Sequence, residues 1–423
     1  MQTIIIGGGW SGLSAAVRLC EAGHRPIVFE SAKHLGGRAR TVDWNGIHVD
    51  NGQHLMIGAY HNMLDLLQRL ELDEQHLFNR HPLDLTIHDP LYPPLQLSAH
   101  SQLPWPFAIL PSLYKSLGWR DIYRFIRLTK QVTVTSYTEK LSVMQWCEQS
   151  GQSRRLIEQL WKPLCLAIMN TPLEQASAHI FARTLKDSLG ANRQAADLLI
   201  PKKPLGELLP EPSRRFITAH GGEVRLQSKV EKICITDGKI TGVITQSGEM
   251  IAAKHVIVAV PPNALRTLLG KELSLPTIME YPIATVYLQF SADYRLPSPI
   301  IGVSNRLIQW VFDRSDQSPG LLAVVISGPG SHEMFSKQQL SENVAAELSE
   351  ILLDSPGALH STLVVREKRA TFCCGVVENN QRPCSETTVA GLYLAGDYIA
   401  NAYPATLEGA IINGYRAAEK VLA

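Results

Sequence analysis

Three glycines near the start of the chain restrict its first folding unit more than any other feature. Gly7-x-Gly9-x-x-Gly12 follows a β-branched run at residues 3–6 and leads into Leu13 to Ala22, where apolar residues recur at helical spacing. Ile27-Val28-Phe29-Glu30 then reads as a second strand, with Glu30 lying 18 residues after Gly12. Each part has a physical task. The first glycine permits a tight turn, the second lets the backbone approach a pyrophosphate, and the third allows close helix–strand packing. The helix N-terminus offers partial positive charge, and the acid accepts hydrogen bonds from ribose hydroxyls. The reading is a dinucleotide site at the head of a βαβ unit; the alternative is a glycine turn made only for packing.

A length of 423 residues implies two or three domains. Hydrophobic residues at 45% and charged residues at 19%, without low-complexity tracts, exclude disordered and fibrous classes. The 40 basic and 39 acidic residues leave a net charge of +1, which gives no general field for nucleic acid. Seven cysteines without a C-x-x-C pair read as reduced thiols of a cytoplasmic protein. The N-terminus enters a strand directly, without a signal-peptide pattern. No apolar run reaches the roughly 18 residues of a membrane-spanning helix, so any membrane contact would be peripheral.

Prolines at 90, 93, 94, 104, 106 and 111 forbid long regular elements there, and we expect a loop-rich excursion. Helical periodicity returns from Trp119 to about Lys140 and again over 154–170 and 175–190. After Gly221-Gly222 the pattern changes to short strands, 224–226, 230–236, 239–246 and 250–253, joined by Asp237-Gly238 and Ser247-Gly248 turns. The apolar strand 255–260 stops at Pro261-Pro262. Further β-rich stretches cover 283–290 and 301–327, and the chain ends with a strand at 391–394 and a helix from about Thr406 to Leu422.

Downstream residues decide which dinucleotide is held. Gly36-Gly37-Arg38 resembles the second glycine motif of the glutathione-reductase-like flavoproteins, in particular the amine oxidase and phytoene desaturase superfamily. Gly391-Leu392-Tyr393-Leu394-Ala395-Gly396-Asp397 resembles the closing flavin motif of that superfamily, in which the aspartate holds the ribityl chain and pyrophosphate. The last helix, entered at Thr406-Leu407, would meet the flavin pyrimidine edge, and Lys229-Val230-Glu231 resembles the segment whose backbone contacts adenine. The resemblance implies FAD. No second G-x-G-x-x-G exists for NAD(P)H, so electrons would pass to or from an external partner or the substrate.

Trp161-Lys162-Pro163-Leu164-Cys165, Gln309-Trp310-Val311-Phe312-Asp313-Arg314, Glu367-Lys368-Arg369-Ala370-Thr371-Phe372 and Tyr403-Pro404-Ala405-Thr406-Leu407-Glu408-Gly409 together resemble the hydroxysqualene dehydroxylase family of hopanoid biosynthesis, over nearly the whole chain. That resemblance implies a long apolar isoprenoid substrate and reductive removal of an allylic hydroxyl. A proton donor, an electron-rich dry pocket and a hydride donor are then required. His54 and Tyr403 are the candidate acids, each with an ordinary structural role as the alternative. Tyr287, Trp310 and Phe312 are candidate aromatic walls, unless they are simply core residues. Asp50 is expected to orient the loop Asn51 to His54, and Glu408 to cap its helix. Where the amine oxidases carry a flavin-facing lysine, the sequence reads Val286-Tyr287-Leu288-Gln289. No histidine spacing suits a metal, and none is expected.

The fold expected is α/β: a Rossmann-like FAD-binding domain from 1–70, 215–270 and 385–423, with an interleaved substrate domain of antiparallel sheet and helices from 71–214 and 271–384. Within 103–131, a stripe of Arg120, Arg124, Arg127 and Gln131 suggests docking on an anionic membrane; an ordinary solvated face is the alternative. Three functions remain open at this point: dehydroxylase, oxidative polyene desaturase or amine oxidase-like enzyme, and flavin-free prenyl-lipid carrier.

Overall fold

Strand Thr3–Ile6 is β-branched throughout and fully buried, as a central parallel strand must be. The computed structural model describes residues 2–132, 139–352 and 356–423. In it this strand is the middle of a five-stranded parallel sheet ordered Glu223–Arg225, Ile27–Phe29, Thr3–Ile6, His255–Val258, Leu392–Leu394. The two faces bury different partners because successive side chains alternate. Ile5, Val28 and Ile257 pack with helices Trp10–Glu21 and Leu407–Leu422. Ile4, Ile6, Val256 and Val258 share a core with Val230, Ile233, Ile240 and Val243 of an antiparallel sheet, Val230–Thr236, Lys239–Thr245 and Met250–Ala252.

The first helix begins at Trp10, earlier than the periodicity of Leu13 suggests. The expected helix from Trp119 ends at Gln131, and residues 133–138 of that expectation lie outside the described residues. The stretch 154–170 is one continuous rod, Arg154–Leu156, a π-turn Ile157–Trp161 and Lys162–Met169. The widened turn precedes Pro163, which has no N–H to return to the turn before it. Pro261-Pro262 stops a strand as expected but also starts helix Pro262–Leu269, because proline suits a first helical position.

A second sheet of seven strands runs Ser361–Phe372, Glu280–Gln289, Leu321–Ser327, Trp310–Asp313, Ile300–Val303, Asp84–His88, Leu95–Ser98. Its pairs are antiparallel except Ile300–Val303 with Asp84–His88. One face, with Val286, Leu288, Val311 and Val324, packs on Leu340, Val344 and Leu348 of helix Lys337–Ile351. The other face, with Trp310, Phe312 and Val325, looks toward helices Lys162–Met169 and Ala178–Ser188.

The first and last helices approach closely because Gly414 has no side chain: a Cβ there would overlap Ser11 O and Ser14 Oγ. Gly414→Ala should therefore lower the urea unfolding free energy by about 1–3 kcal/mol, the usual cost of overpacking. An unchanged midpoint would show that the helices can slide apart freely.

Candidate functional site

The sheet order reverses beside strand Thr3–Ile6, and a crevice opens outside the carboxyl ends of the strands. It belongs to one continuous cavity of about 1050 Å³, at or beyond the upper end of ordinary ligand pockets. Gly7, Gly9, Glu30, Gly36, Gly37, Arg38, Val230, Gly396, Asp397 and Leu407 all line it. Gly12 does not, since its missing Cβ leaves room for Gly7 O.

At this end the polar groups fit a dinucleotide. Helix Trp10–Glu21 has no side-chain cap at Gly9 and no acid in its first turn, so its N-terminal N–H groups face the cavity uncompensated. Ser11 Oγ lines the cavity, buried and without a partner. A Cβ on Gly9 would come within 4 Å only of Gly37 Cα, at 3.9 Å, so the space before it is open. Glu30 is aimed by two backbone donors, Gly8 N at 2.8 Å and Ala32 N at 2.8 Å, which leaves lone pairs toward the cavity. Arg38 pairs with Asp397 and also donates to Ala370 O at 3.0 Å, joining the two expected flavin motifs across the whole chain.

Arg382, which no motif marks, holds the loop behind Asp397. It is buried and donates to the carbonyls of Asp397 (2.7 Å), Tyr398 (3.2 Å), Ile399 (2.6 Å), Asn401 (3.1 Å) and Tyr403 (3.0 Å). Desolvation lowers its pKa to about 10, so it stays cationic at neutral pH. Glu408 caps a neighbouring helix rather than its own. It accepts from Asn62 N and Met63 N, both at 2.9 Å, at the start of His61–Arg69, while Thr406 Oγ1 caps Leu407–Leu422 by accepting from Gly409 N.

The other end of the cavity is apolar, walled by Trp310, Phe312 and Ile300 from the second sheet and by Leu164, Leu185 and Leu189 from the helices and the turn after them. His54 lies on the lining of the cavity. Strand Ile47–Asp50 ends at Asp50, whose Oδ1 accepts from Leu205 N at 2.8 Å, and the next residue, Asn51, exchanges hydrogen bonds with Arg40. That loop presents His54 with Nδ1 donating to Gly52 O at 2.7 Å. Burial pushes its pKa below 6.5, so at neutral pH it offers Nε2 as an acceptor. A ready-charged acid is not what the structure places there.

Two candidates are not brought to the cavity. Tyr403 donates to Asp187 Oδ2 at 2.8 Å, beside Arg183, and its pKa is raised by burial and then by that carboxylate; it is not on the lining and is no proton donor to it. Tyr287 is wholly buried and donates to Asp50 O at 2.8 Å; it supports the floor under the His54 loop instead of forming an aromatic wall. Among the described residues, Lys229, at the nucleotide end, is the one lysine on the lining.

Residues 10–422 match the family described as flavin containing amine oxidoreductase. The chain is 28% identical to a hydroxysqualene dehydroxylase of Rhodopseudomonas palustris, over 99% of this chain and 98% of that one. It is 24% identical to a 15-cis-phytoene desaturase of Narcissus pseudonarcissus, over 100% of this chain and 79% of that one. Its backbone is similar to a crystal structure of an oxidoreductase from Methanosarcina mazei, with a TM-score of 0.78, 18% identity and coverage of 99% and 100% of the two chains.

Gly9→Val should fold with an unchanged midpoint yet purify without flavin absorbance, because the new Cβ enters the cavity with only an ordinary contact to Gly37 Cα at 3.9 Å. Glu30→Ala should weaken FAD about 10- to 150-fold, as loss of a buried hydrogen bond to a charged group costs about 1.5–3 kcal/mol. Titration of the apoprotein with FAD reads both.

Burial pushes the Asp50 carboxyl up to about 7. Its unfolded pKa is near 3.9. The folded state therefore retains a proton that the unfolded state has lost. Stability should fall as pH rises from about 4 to about 7 and level off above it. Asp50→Asn keeps an acceptor for Leu205 and removes the titration, so it should gain up to about 4 kcal/mol on the parent between pH 4 and 8 in urea unfolding.

Proposed function

The chain belongs to the flavin-containing amine oxidoreductase family, and on that premise we propose that it removes the hydroxyl of hydroxysqualene and yields squalene. It is an FAD-dependent oxidoreductase. The observation that supports the specific reaction is the joining, in one cavity of about 1050 Å³, of a dinucleotide crevice to an apolar chamber with two aromatic walls. Similarity over the full length to hydroxysqualene dehydroxylases points the same way. In this reading 1–70, 215–270 and 385–423 hold the cofactor, while 71–214 and 271–384 enclose the substrate.

The net change is replacement of a C–OH by a C–H, with one hydride and one proton consumed and water released. Reduced FAD, when bound, supplies the hydride. The protein's tasks are to exclude water, orient the alcohol, deliver the proton and stabilise positive charge on carbon. His54 Nε2 would accept a hydrogen bond from the alcohol in the neutral state and return a proton to its oxygen when the ring is protonated. A lowered pKa makes the protonated ring the stronger acid but the rarer form. Trp310 and Phe312 would stabilise an allylic cation by about 0.5–2 kcal/mol each. An external reductant would renew the flavin.

The test is an anaerobic reaction of the photoreduced protein with hydroxysqualene. One squalene should appear per flavin oxidised, and deuterium placed at flavin N5 should be found at the carbon that lost oxygen. If the oxidised protein desaturates squalene or phytoene and the reduced protein leaves the alcohol untouched, the desaturase reading replaces this one.

The rate should climb as pH falls from 8 toward 6.5, because the protonated form of His54 grows, and His54→Gln should flatten that limb. Trp310→Leu or Phe312→Leu should lower kcat about two- to thirtyfold, measured in single turnovers.

A further inference from the structure

We propose that the face carrying Phe107, Tyr114, Trp119 and Tyr123 with Arg120 and Arg127 docks on an anionic lipid bilayer. Large apolar side chains are normally exposed singly, but here they are concentrated. Of the eleven that are exposed among the described residues, Leu91, Leu103, Phe107, Tyr114, Trp119 and Tyr123 fall within one stretch of chain, and the rest are scattered.

The helix Trp119–Gln131 shows why. At about 100° per residue, Trp119, Tyr123, Arg127 and Arg120 fall within one sector of about 100°, and all four are exposed. Ile122, Phe125 and Leu128 lie on the other side and are buried. The basic stripe expected from the sequence is corrected in two places. Arg124 is tied to Asp121 at 2.8 Å, and Gln131 accepts from Trp146 Nε1 at 2.9 Å and Ser150 Oγ at 2.7 Å. What remains outward is aromatic rings interleaved with arginines, extended by exposed Lys115 on helix Leu110–Leu117. Arg120 and Arg127 form no ion pair with a described residue, and the helix's acid, Asp121, is held outside the sector by Arg124. Aromatic rings with polar edges settle at the headgroup level, and the unpaired cations select anionic lipid.

The elements that carry this face also pack over the apolar end of the cavity. Helix Leu110–Leu117 is bonded to strand Leu95–Ser98 through Ser112 Oγ, which accepts from Ser98 N at 2.9 Å, and Leu97 of that strand lines the cavity. Arg193 holds the chain before the helix, donating to Ala99 O, Ser101 O (3.0 Å) and Leu103 O (2.9 Å), between the cavity-lining residues Leu189 and Ala196. No helix among the described residues is long and apolar enough to cross a bilayer, so the contact is one of surface. What docking would deliver, a substrate dissolved in lipid, rests on the function proposed above; the docking itself does not.

The FAD-loaded protein is co-sedimented with phosphatidylcholine vesicles, with and without phosphatidylglycerol, at low and high salt, in the absence of substrate. We expect binding to the anionic vesicles that salt weakens. Arg120→Gln/Arg127→Gln should lower the partition coefficient about 25-fold, about fivefold per cation. Trp119→Ser/Tyr123→Ser should reduce binding at every salt concentration, and unchanged flavin absorbance certifies folding of both variants. Binding indifferent to lipid charge, or variants that bind like the parent, would overturn the proposal. A concentration-dependent dimer abolished by the same variants, without vesicle binding, would assign the face to a second copy and overturn it as well. Vesicle binding by a protein that leaves the alcohol unconverted would sustain docking and remove the substrate reading alone.

Discussion

The loop that closes the cofactor crevice depends on one buried guanidinium. Arg382 donates to main-chain carbonyls from residues 397 to 403 and to Asn379 Oδ1, and makes no hydrogen bond to a carboxylate of a described residue. A rigid fork of donors can satisfy several carbonyls at once, which an ammonium cannot do in one plane. Asn413 adds bonds to Gly396 O and Ile399 O from the last helix. With the carbonyls turned to these two side chains, Asp397 is left to meet Arg38, and the glycine turn after residue 35 becomes the opposite lip of the same crevice. Two segments of chain 359 residues apart are thereby fixed in one site.

The convergence of the glycine turn, the strand-end acid and the closing Gly-Asp on one crevice was legible because each signal is local. A glycine turn, an acid at a strand end and a closing Gly-Asp each act within a few residues, so spacing carries the information. The aromatic wall was legible only in part. Alternation along a strand tells which face a side chain takes, and Phe312, Ala323 and Tyr287 do lie in one row on the same face. It does not tell how far along that row the cavity reaches. Tyr287 stands two strands away from Phe312, under the backbone of Asp50, and its hydroxyl is used there. Tyr403 fails for a related reason: its partner Asp187 lies more than two hundred residues away, and nothing near either residue announces the pair.

Other elements went unread for reasons of pattern. Helix Lys337–Ile351 carries a capping box, Ser336 with Gln339, that its weak amphipathic signal obscured. Strand Ser361–Phe372 contains the run Arg366-Glu367-Lys368-Arg369, which reads as solvated loop. Its pairing with Glu280–Gln289 passes directly from Ile283–Glu367 to Tyr281–Thr371, so a bulge sets part of the run outside the ladder. On helix Trp119–Gln131 the position of the arginines alone does not mark the outward sector. Exposure centres on Tyr123 and takes in both aromatic rings.

Desolvation links the shape of the cavity to its protonation states. Burial disfavours charge of either sign, so it raises the pKa of Asp50 and Glu408 and lowers that of His54. The walls of the chamber are hydrocarbon and aromatic, while the Arg38–Asp397 ion pair sits at the nucleotide end. A cation forming on carbon between Trp310 and Phe312 would meet aromatic faces as a source of negative potential. A neutral His54 would not repel it. In the proposed reaction, the same dryness would suit a hydrocarbon and would leave proton delivery to a group whose charged form must be recruited.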